Sequence, residues 1–243
     1  MKYAILSDIH GNFDAFERVL SDINPIGVDR IISLGDMIGY GGQPEEVVTE
    51  IRRRSVWSIM GNHELAVVDR SYLNWFNPQA RRSLVQTITM LSPDSLAFIE
   101  KLKAFLRFDS CHFVHGYPPD SPLTYLFEVG EETLVQTFLT KNFWICFVGH
   151  THNLEIISFG RDGLSRLPLQ RGKTILQKTN QYILNIGSVG QPRNGNVDAK
   201  YVIWDPEENT VDLRFIPYNL EAAADKILAA GLPEVHARRL LPK

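Results

Sequence analysis

Short apolar runs alternate with amphipathic stretches through the first sixty residues of the chain. Residues 3–6 are apolar and stop at Ser7-Asp8. Phe16, Val19, Leu20 and Ile23 then recur at the spacing of one helix face, which predicts a helix over 13–23. Residues 30–34 form a second apolar run, ending at Gly35-Asp36. Proline at 44 and the acids after it predict a helix over 44–53. Residues 55–60 form a third run, ending at Gly61-Asn62. This β-α-β-α-β order predicts a parallel sheet whose strand C-terminal loops carry the function.

Farther on, 78–103 reads as helix in two pieces broken at Ser92-Pro93. Strands are expected at 111–114, 144–148, 154–159 and 182–186, with a hairpin of 201–204 and 211–216. A helix over 220–230 stops at Gly231. Strands thus become commoner late, and a mixed sheet or two stacked sheets fits better than a purely parallel one. Residues 1–243 read as a single domain, with 118–140 expected to be an insertion beside the cleft.

Composition narrows the class. The chain has 243 residues, 44% hydrophobic and 22% charged, enough for a core that needs no disulfide or structural metal. A net charge of -3 shows no basic nucleic-acid footprint. Arg52-Arg53-Arg54 reads as favourable charge at a helix C-terminus. The two cysteines, Cys111 and Cys146, form no CxxC pattern. No apolar stretch approaches the roughly 20 residues of a membrane span, and residues 3–6 are too short for a signal peptide. A cytoplasmic setting is therefore expected.

Five of the seven histidines fall in polar clusters that close apolar runs. Asp8-x-His10 places a carboxylate and an imidazole on alternate residues, able to grip one ion, although the pair alone is also an ordinary loop feature. Gly35-Asp36 offers a turn and a carboxylate, or a helix cap. In Gly61-Asn62-His63-Glu64, Asn62 is an uncharged oxygen ligand or a cap, His63 is free for acid-base work, and Glu64 is placed to orient it. His115-Gly116 and Gly149-His150-x-His152 add three imidazoles, while His112 and His236 fit no cluster and read as structural or surface residues. Taken together, Asp8, His10, Asp36, Asn62, His115, His150 and His152 are too many ligands for one four-coordinate zinc. They suit two ions sharing a carboxylate, about 4 Å apart.

With these motifs in this order, the chain resembles the calcineurin-like metallophosphoesterase superfamily. Gly35-Asp36-Met37-Ile38-Gly39-Tyr40-Gly41 and the segment from Asn185 to Arg193 resemble its small bacterial and archaeal phosphodiesterase branch. The resemblance implies an α/β fold, a four-layer α/β/β/α sandwich with two mixed sheets. It implies that Asp8, His10 and His152 hold one metal and Asn62, His115 and His150 the other, with Asp36 between them. It implies hydrolysis of a phosphate ester by a metal-bridging hydroxide, His63 assisting the leaving group as acid or by stabilising charge, and Glu64 orienting His63. The substrate is expected to be a small phosphate diester, in one variant a nucleotide. A phosphomonoesterase of the same mechanism is the alternative, and a non-catalytic protein-binding scaffold a third. The imidazole count favours Mn²⁺ or Fe²⁺ over Mg²⁺, with zinc, nickel and cobalt also suited. Arg193 is a candidate phosphate clamp or a structural ion pair. Tyr40, Tyr117 and Trp75 are candidates for stacking on a substrate ring, or for packing.

Overall fold

A computed structural model describes residues 1–193 and 195–242. In chain order its first half runs β1 (Tyr3–Leu6), α1 (Phe13–Ile23), β2 (Arg30–Ser33), α2 (Pro44–Arg53), β3 (Trp57–Ser58), α3 (Asn62–Val68), α4 (Pro78–Thr89) and α5 (Pro93–Ile99). The middle holds β4 (Phe105–Phe108), β5 (Cys111–Val114), α6 (Glu131–Thr140), β6 (Ile145–Val148), β7 (Leu154–Gly160) and β8 (Gly163–Pro168). The chain closes with β9 (Gly172–Ile175), β10 (Gln181–Ile186), β11 (Ala199–Asp205), β12 (Thr210–Ile216), α7 (Leu220–Ala229) and α8 (Glu234–Leu240).

The strands form two six-stranded sheets, ordered β3-β2-β1-β11-β12-β9 and β4-β5-β6-β10-β7-β8. Both are mixed. β1 runs parallel to β2, with Ala4 opposite Ile31, and antiparallel to β11, with Ala4 opposite Ile203. In the second sheet β5, β6 and β10 are parallel, and β4, β7 and β8 are antiparallel additions.

Strand alternation builds the layers. Tyr3 and Ile5 of β1, and Val202 and Trp204 of β11, enter a core shared with Phe113 and Phe147 of the other sheet. Their neighbours Ala4, Leu6, Tyr201 and Ile203 turn the other way, onto Phe16 and Val19 of α1 and Val47 and Ile51 of α2. On the far side, Val114, Cys146 and Val148 meet Leu134 and Phe138 of α6. Three apolar interfaces therefore separate four layers, helix, sheet, sheet and helix.

Local chemistry sets the boundaries. The Asn12 side chain caps α1 by accepting from Ala15 N, and Asn77 caps α4. Ser92 caps α5 with Pro93 at its first position, which is why the helical stretch breaks there. Arg53 and Arg54 pair with Glu50 of their own helix. A two-toothed ion pair from Arg214 to Asp22 ties β12 to α1, and Lys226 to Asp14 ties α7 to α1.

Several elements differ from expectation. The strand over 55–60 shrinks to the two residues of β3. β4, β8 and β9 were not anticipated: β4 and β8 lie at the two edges of one sheet and β9 at an edge of the other, all three are half-exposed, and β8 and β9 carry no apolar run. Residues 118–140 divide in two: α6 belongs to the outer helical layer, and only the stretch before it approaches the cleft.

Candidate metal centre

The polar clusters meet where β1, β2, β5 and β6 end. Backbone bonds continue past the strands, with Asp8 N donating to Gly35 O and His10 N to Asp36 O. To turn the side chains inward, Asp8, His10, Asp36, Tyr40, His150 and His152 adopt left-handed backbone, φ between 51° and 64°. Non-glycine residues pay roughly 1 kcal/mol or more for this, and such strain collects at functional sites. The loops also approach closely. A Cβ on Gly61 would lie 2.2 Å from Asp36 Oδ1, and one on Gly39 2.1 Å from His63 Nδ1. The Asn185–Gly190 turn braces them: Asn185 Nδ2 donates to Gly149 O, and Ser188 Oγ to Asp8 O.

Backbone carbonyls decide which ring nitrogens face the centre. A carbonyl only accepts, so the nitrogen beside it carries the hydrogen. His10 Nδ1 lies 3.0 Å from Ile38 O, and His152 Nδ1 bonds Gln191 O, which turns both Nε2 lone pairs inward. Those two Nε2 atoms are 3.2 Å apart, and Asp8 Oδ1 is 3.1 Å from His152 Nε2. In the second group, His115 Nδ1 donates to Leu34 O and His150 Nε2 to Leu123 O. His115 Nε2 then lies 3.2 Å from His150 Nδ1, 3.1 Å from Asn62 Oδ1 and 3.4 Å from Asp36 Oδ2. Asp36 Oδ2 is also 3.7 Å from His10 Nε2, so it stands between the groups. Asp8-His10-His152 and Asp36-His115-His150 are each compact enough to hold an ion. Facing lone pairs at these distances repel unless positive charge lies among them, so the donor set fits two cations.

Protonation tells the same story. Burial alone would lower the His115 pKa, but Asp36, with Asp8 and Glu64, pushes it up to about 9. A proton there supplies part of the charge that the acceptors demand. Burial pushes His150 down to about 3 and His152 to about 4. Burial opposes ionisation of Asp8 and Asp36, yet the surrounding histidines hold both well below the carboxylate range.

His63 sits beside this centre, with Nε2 3.8 Å from Asp36 Oδ2 and its ring edge-on to Tyr40 and Phe76. Burial keeps its pKa well below 6.5, so the ring is neutral. Glu64 departs from the orienting role expected of it. Its carboxylate accepts from the backbone amides of Asp36, Met37, Ile38 and Gly61, and His63 Nδ1 has no hydrogen-bond partner among the described residues. As neighbours on α3, the two side chains project about 100° apart around the helix. Burial, then the Asp36 charge, pushes the Glu64 pKa up to about 7 against the pull of those amides.

Above the centre opens a cleft of about 540 Å³, within the range of small-molecule sites. Tyr40, Trp75 and Arg193 line it, as do His150 and Asn62. Tyr117 does not. Its ring packs among Leu134 and Phe138, and its hydroxyl is 2.7 Å from Thr137 Oγ1, because the side chain points to the outer helical layer. Tyr125 occupies the cleft instead, stacked on His150 with centroids 3.9 Å apart. His236 and Arg239 of α8 also line the cleft; the sequence reading took His236 for a structural or surface residue and did not single out Arg239. Their i, i+3 spacing was the available signal, but seven residues after a proline carry little helical periodicity. Cys111 stays in the core between the sheets, its thiol pushed up to about 12 by burial.

Fold and site together define a protein built to hold metal ions at the floor of an α/β sandwich cleft. The calcineurin-like phosphoesterase family model matches residues 1–177, and the chain belongs to that family. It is similar to a metallophosphoesterase from Sphaerobacter thermophilus, 32% identical with a TM-score of 0.84, covering 99% of this chain and 98% of the other. It is 32% identical to the uncharacterized protein MJ0912 of Methanocaldococcus jannaschii, over 98% of this chain and 96% of that one. The hypothetical protein PH1004 of Pyrococcus horikoshii shares the fold, with a TM-score of 0.76 at 18% identity, over 99% and 98% of the two chains.

Proposed function

We propose that the protein hydrolyses phosphate esters, diesters foremost, with two divalent cations held by Asp8, His10 and His152 on one side and Asn62, His115 and His150 on the other, Asp36 shared between them. The convergence of these lone pairs without a matching set of hydrogens carries the reading. Two bound cations would supply Lewis-acid stabilisation of the phosphoryl oxygens and activation of water. Four imidazoles in the set favour Mn²⁺ or Fe²⁺.

The chain's own residues do the rest. His63, neutral through burial, offers an N–H beside Asp36 to the oxygen on which negative charge develops. This favours charge stabilisation over proton storage for His63. Glu64 holds the Asp36 loop by four amides, fixing the shared carboxylate before substrate arrives. The cleft is far larger than a phosphate group, which leaves room for the organic arms of an ester. The same reading sets the protein in the cytoplasm, where its buried free thiols Cys111 and Cys146 stay reduced.

The test is nitrophenol release from bis-p-nitrophenyl phosphate by metal-stripped protein given Mn²⁺, compared with p-nitrophenyl phosphate. Faster release from the diester is expected, with kcat of His63→Ala falling by about a hundredfold or more. Preference for the monoester would replace the diesterase by a monoesterase. Folded protein that takes up two ions and hydrolyses neither ester would move the reading to a binding scaffold.

A further inference from the structure

We propose that Arg193 and Arg239, with His236 behind them, form a second anion subsite in the cleft, so that the preferred substrate is a nucleotide ester carrying a phosphate beyond the one hydrolysed. The proposal rests on the phosphoesterase reading of the metal centre below it.

The two arginines come from separate parts of the chain. Arg193 follows the Asn185–Gly190 turn, and Arg239 lies near the end of α8. Both line the same cavity, and among the described residues no carboxylate lines it with them. Neither makes an ion pair or side-chain hydrogen bond among the described residues, whereas the adjacent Arg238 pairs with Glu234 at 2.8 Å. Partial burial against the cleft wall, and then the neighbouring Arg193 charge, lowers the Arg239 pKa, although the side chain stays open to solvent. Two like charges thus share a cleft wall with no carboxylate beside them among the described residues, the acids of the metal centre lying on the floor.

His236 is the independent observation. It is 3% exposed, lies one helical turn before Arg239, and packs against Tyr40 with centroids 4.6 Å apart. Gln79 backbone lies near its ring, yet neither ring nitrogen has a well-formed hydrogen-bond partner among the described residues. Such unmet polar atoms at a cavity wall call for a polar ligand. Apolar packing fixes the helix that presents them: Ala237 and Leu240 sit against Ala223 and Ile227 of α7.

The ligand chemistry follows from the groups. Guanidinium forks match phosphate oxygens two at a time. Trp75, 71% exposed, adds a flat aromatic face suited to a base, while the Tyr125 ring is already stacked on His150 and Phe127. In the reaction, water adds to the scissile phosphorus and the bond to the leaving alcohol breaks, giving a monoester and an alcohol. The second phosphate is held and leaves unchanged.

Two chromogenic diesters that differ only in that phosphate test this: thymidine 5′-(p-nitrophenyl phosphate) and its 3′-phosphorylated form. Mn²⁺-loaded wild type is expected to favour the phosphorylated ester by roughly tenfold or more in kcat/KM. Arg239→Gln should bring the ratio near one, mostly through KM, and Arg239→Lys should keep part of it. A wild-type ratio near one, or a ratio that neither Arg239→Gln nor Arg193→Gln alters, would overturn the subsite while leaving the phosphoesterase intact. If neither ester is hydrolysed, the catalytic reading fails separately, and calorimetry of EDTA-treated protein with inorganic diphosphate decides the subsite. Binding that Arg239→Gln weakens about tenfold supports it; no binding, or binding that the substitution leaves alone, overturns it.

Discussion

The floor of the cleft and its rim are held by different means. On the floor, each of His10, His115, His150 and His152 has one ring nitrogen tied to a backbone carbonyl, and Glu64 ties down the Asp36 loop. On the rim, Arg193, Arg239 and Trp75 are exposed, and none is held by an ion pair among the described residues. Groups that stabilise developing charge work best when they need no rearrangement at the moment of reaction. Groups that select a substrate can close on it. The floor therefore bears the strain of left-handed backbone, and the rim keeps its side-chain freedom.

The sharpest way to break this contrast is Asp36→Asn. With the shared carboxylate gone, metal content should drop below two per chain and turnover by about a thousandfold, the several kcal/mol that metal charge stabilisation supplies. Elemental analysis with kinetics checks it, and two retained ions with near-normal rate would disprove the sharing. Next comes Glu64→Ala, which leaves four amides without their acceptor. At about 1 kcal/mol or more for each unmet donor, urea unfolding should show a loss of about 4 kcal/mol or more. A nearly unchanged midpoint, with only catalysis impaired, would instead return Glu64 to an orienting role for His63.

A third prediction concerns pH. The folded His115 pKa is raised to about 9 from 6.5, so its proton competes with metal below that value. Metal affinity should climb as pH rises toward about 9, about tenfold per unit if this proton alone is displaced. In the metal-free protein the same group contributes stability that is complete below 6.5 and lost as pH rises through about 9. Metal titrations and unfolding curves over that window should therefore slope in opposite senses, and a flat affinity profile would remove His115 from the coupling. The smallest effect is that of Tyr117→Phe. Losing its hydroxyl bond to Thr137 should cost about 1 kcal/mol of stability, with KM unaltered because the ring lies outside the cleft. A raised KM would bring Tyr117 back to the rim.

Legibility followed the same division. The β-α-β-α-β opening was readable because β1 is a short buried run, because β2 carries Ile31 and Ile32 between polar ends, and because α1 and α2 show one apolar face each. The polar clusters were readable because each lies within a few residues of a strand end, where the fold leaves side chains free to converge. The edge strands β8 and β9 were not, since half-exposed residues carry no strong period. Tyr117 and Tyr125 show the limit best. They are eight positions apart in one segment and chemically alike. One packs under the outer helical layer and the other stacks on His150.

By itself, the sequence determined the layered α/β class, the order of the early elements and which oxygen- and nitrogen-bearing side chains stand at the strand ends, because these depend on local periodicity and on residues close to their own strand. Only the tertiary structure decided which nitrogen of each imidazole faces inward, what Glu64 holds, and that α8 brings Arg239 and His236 to a cleft begun more than two hundred residues earlier. Those outcomes depend on distant backbone carbonyls, amides and packing surfaces, and no local pattern records them.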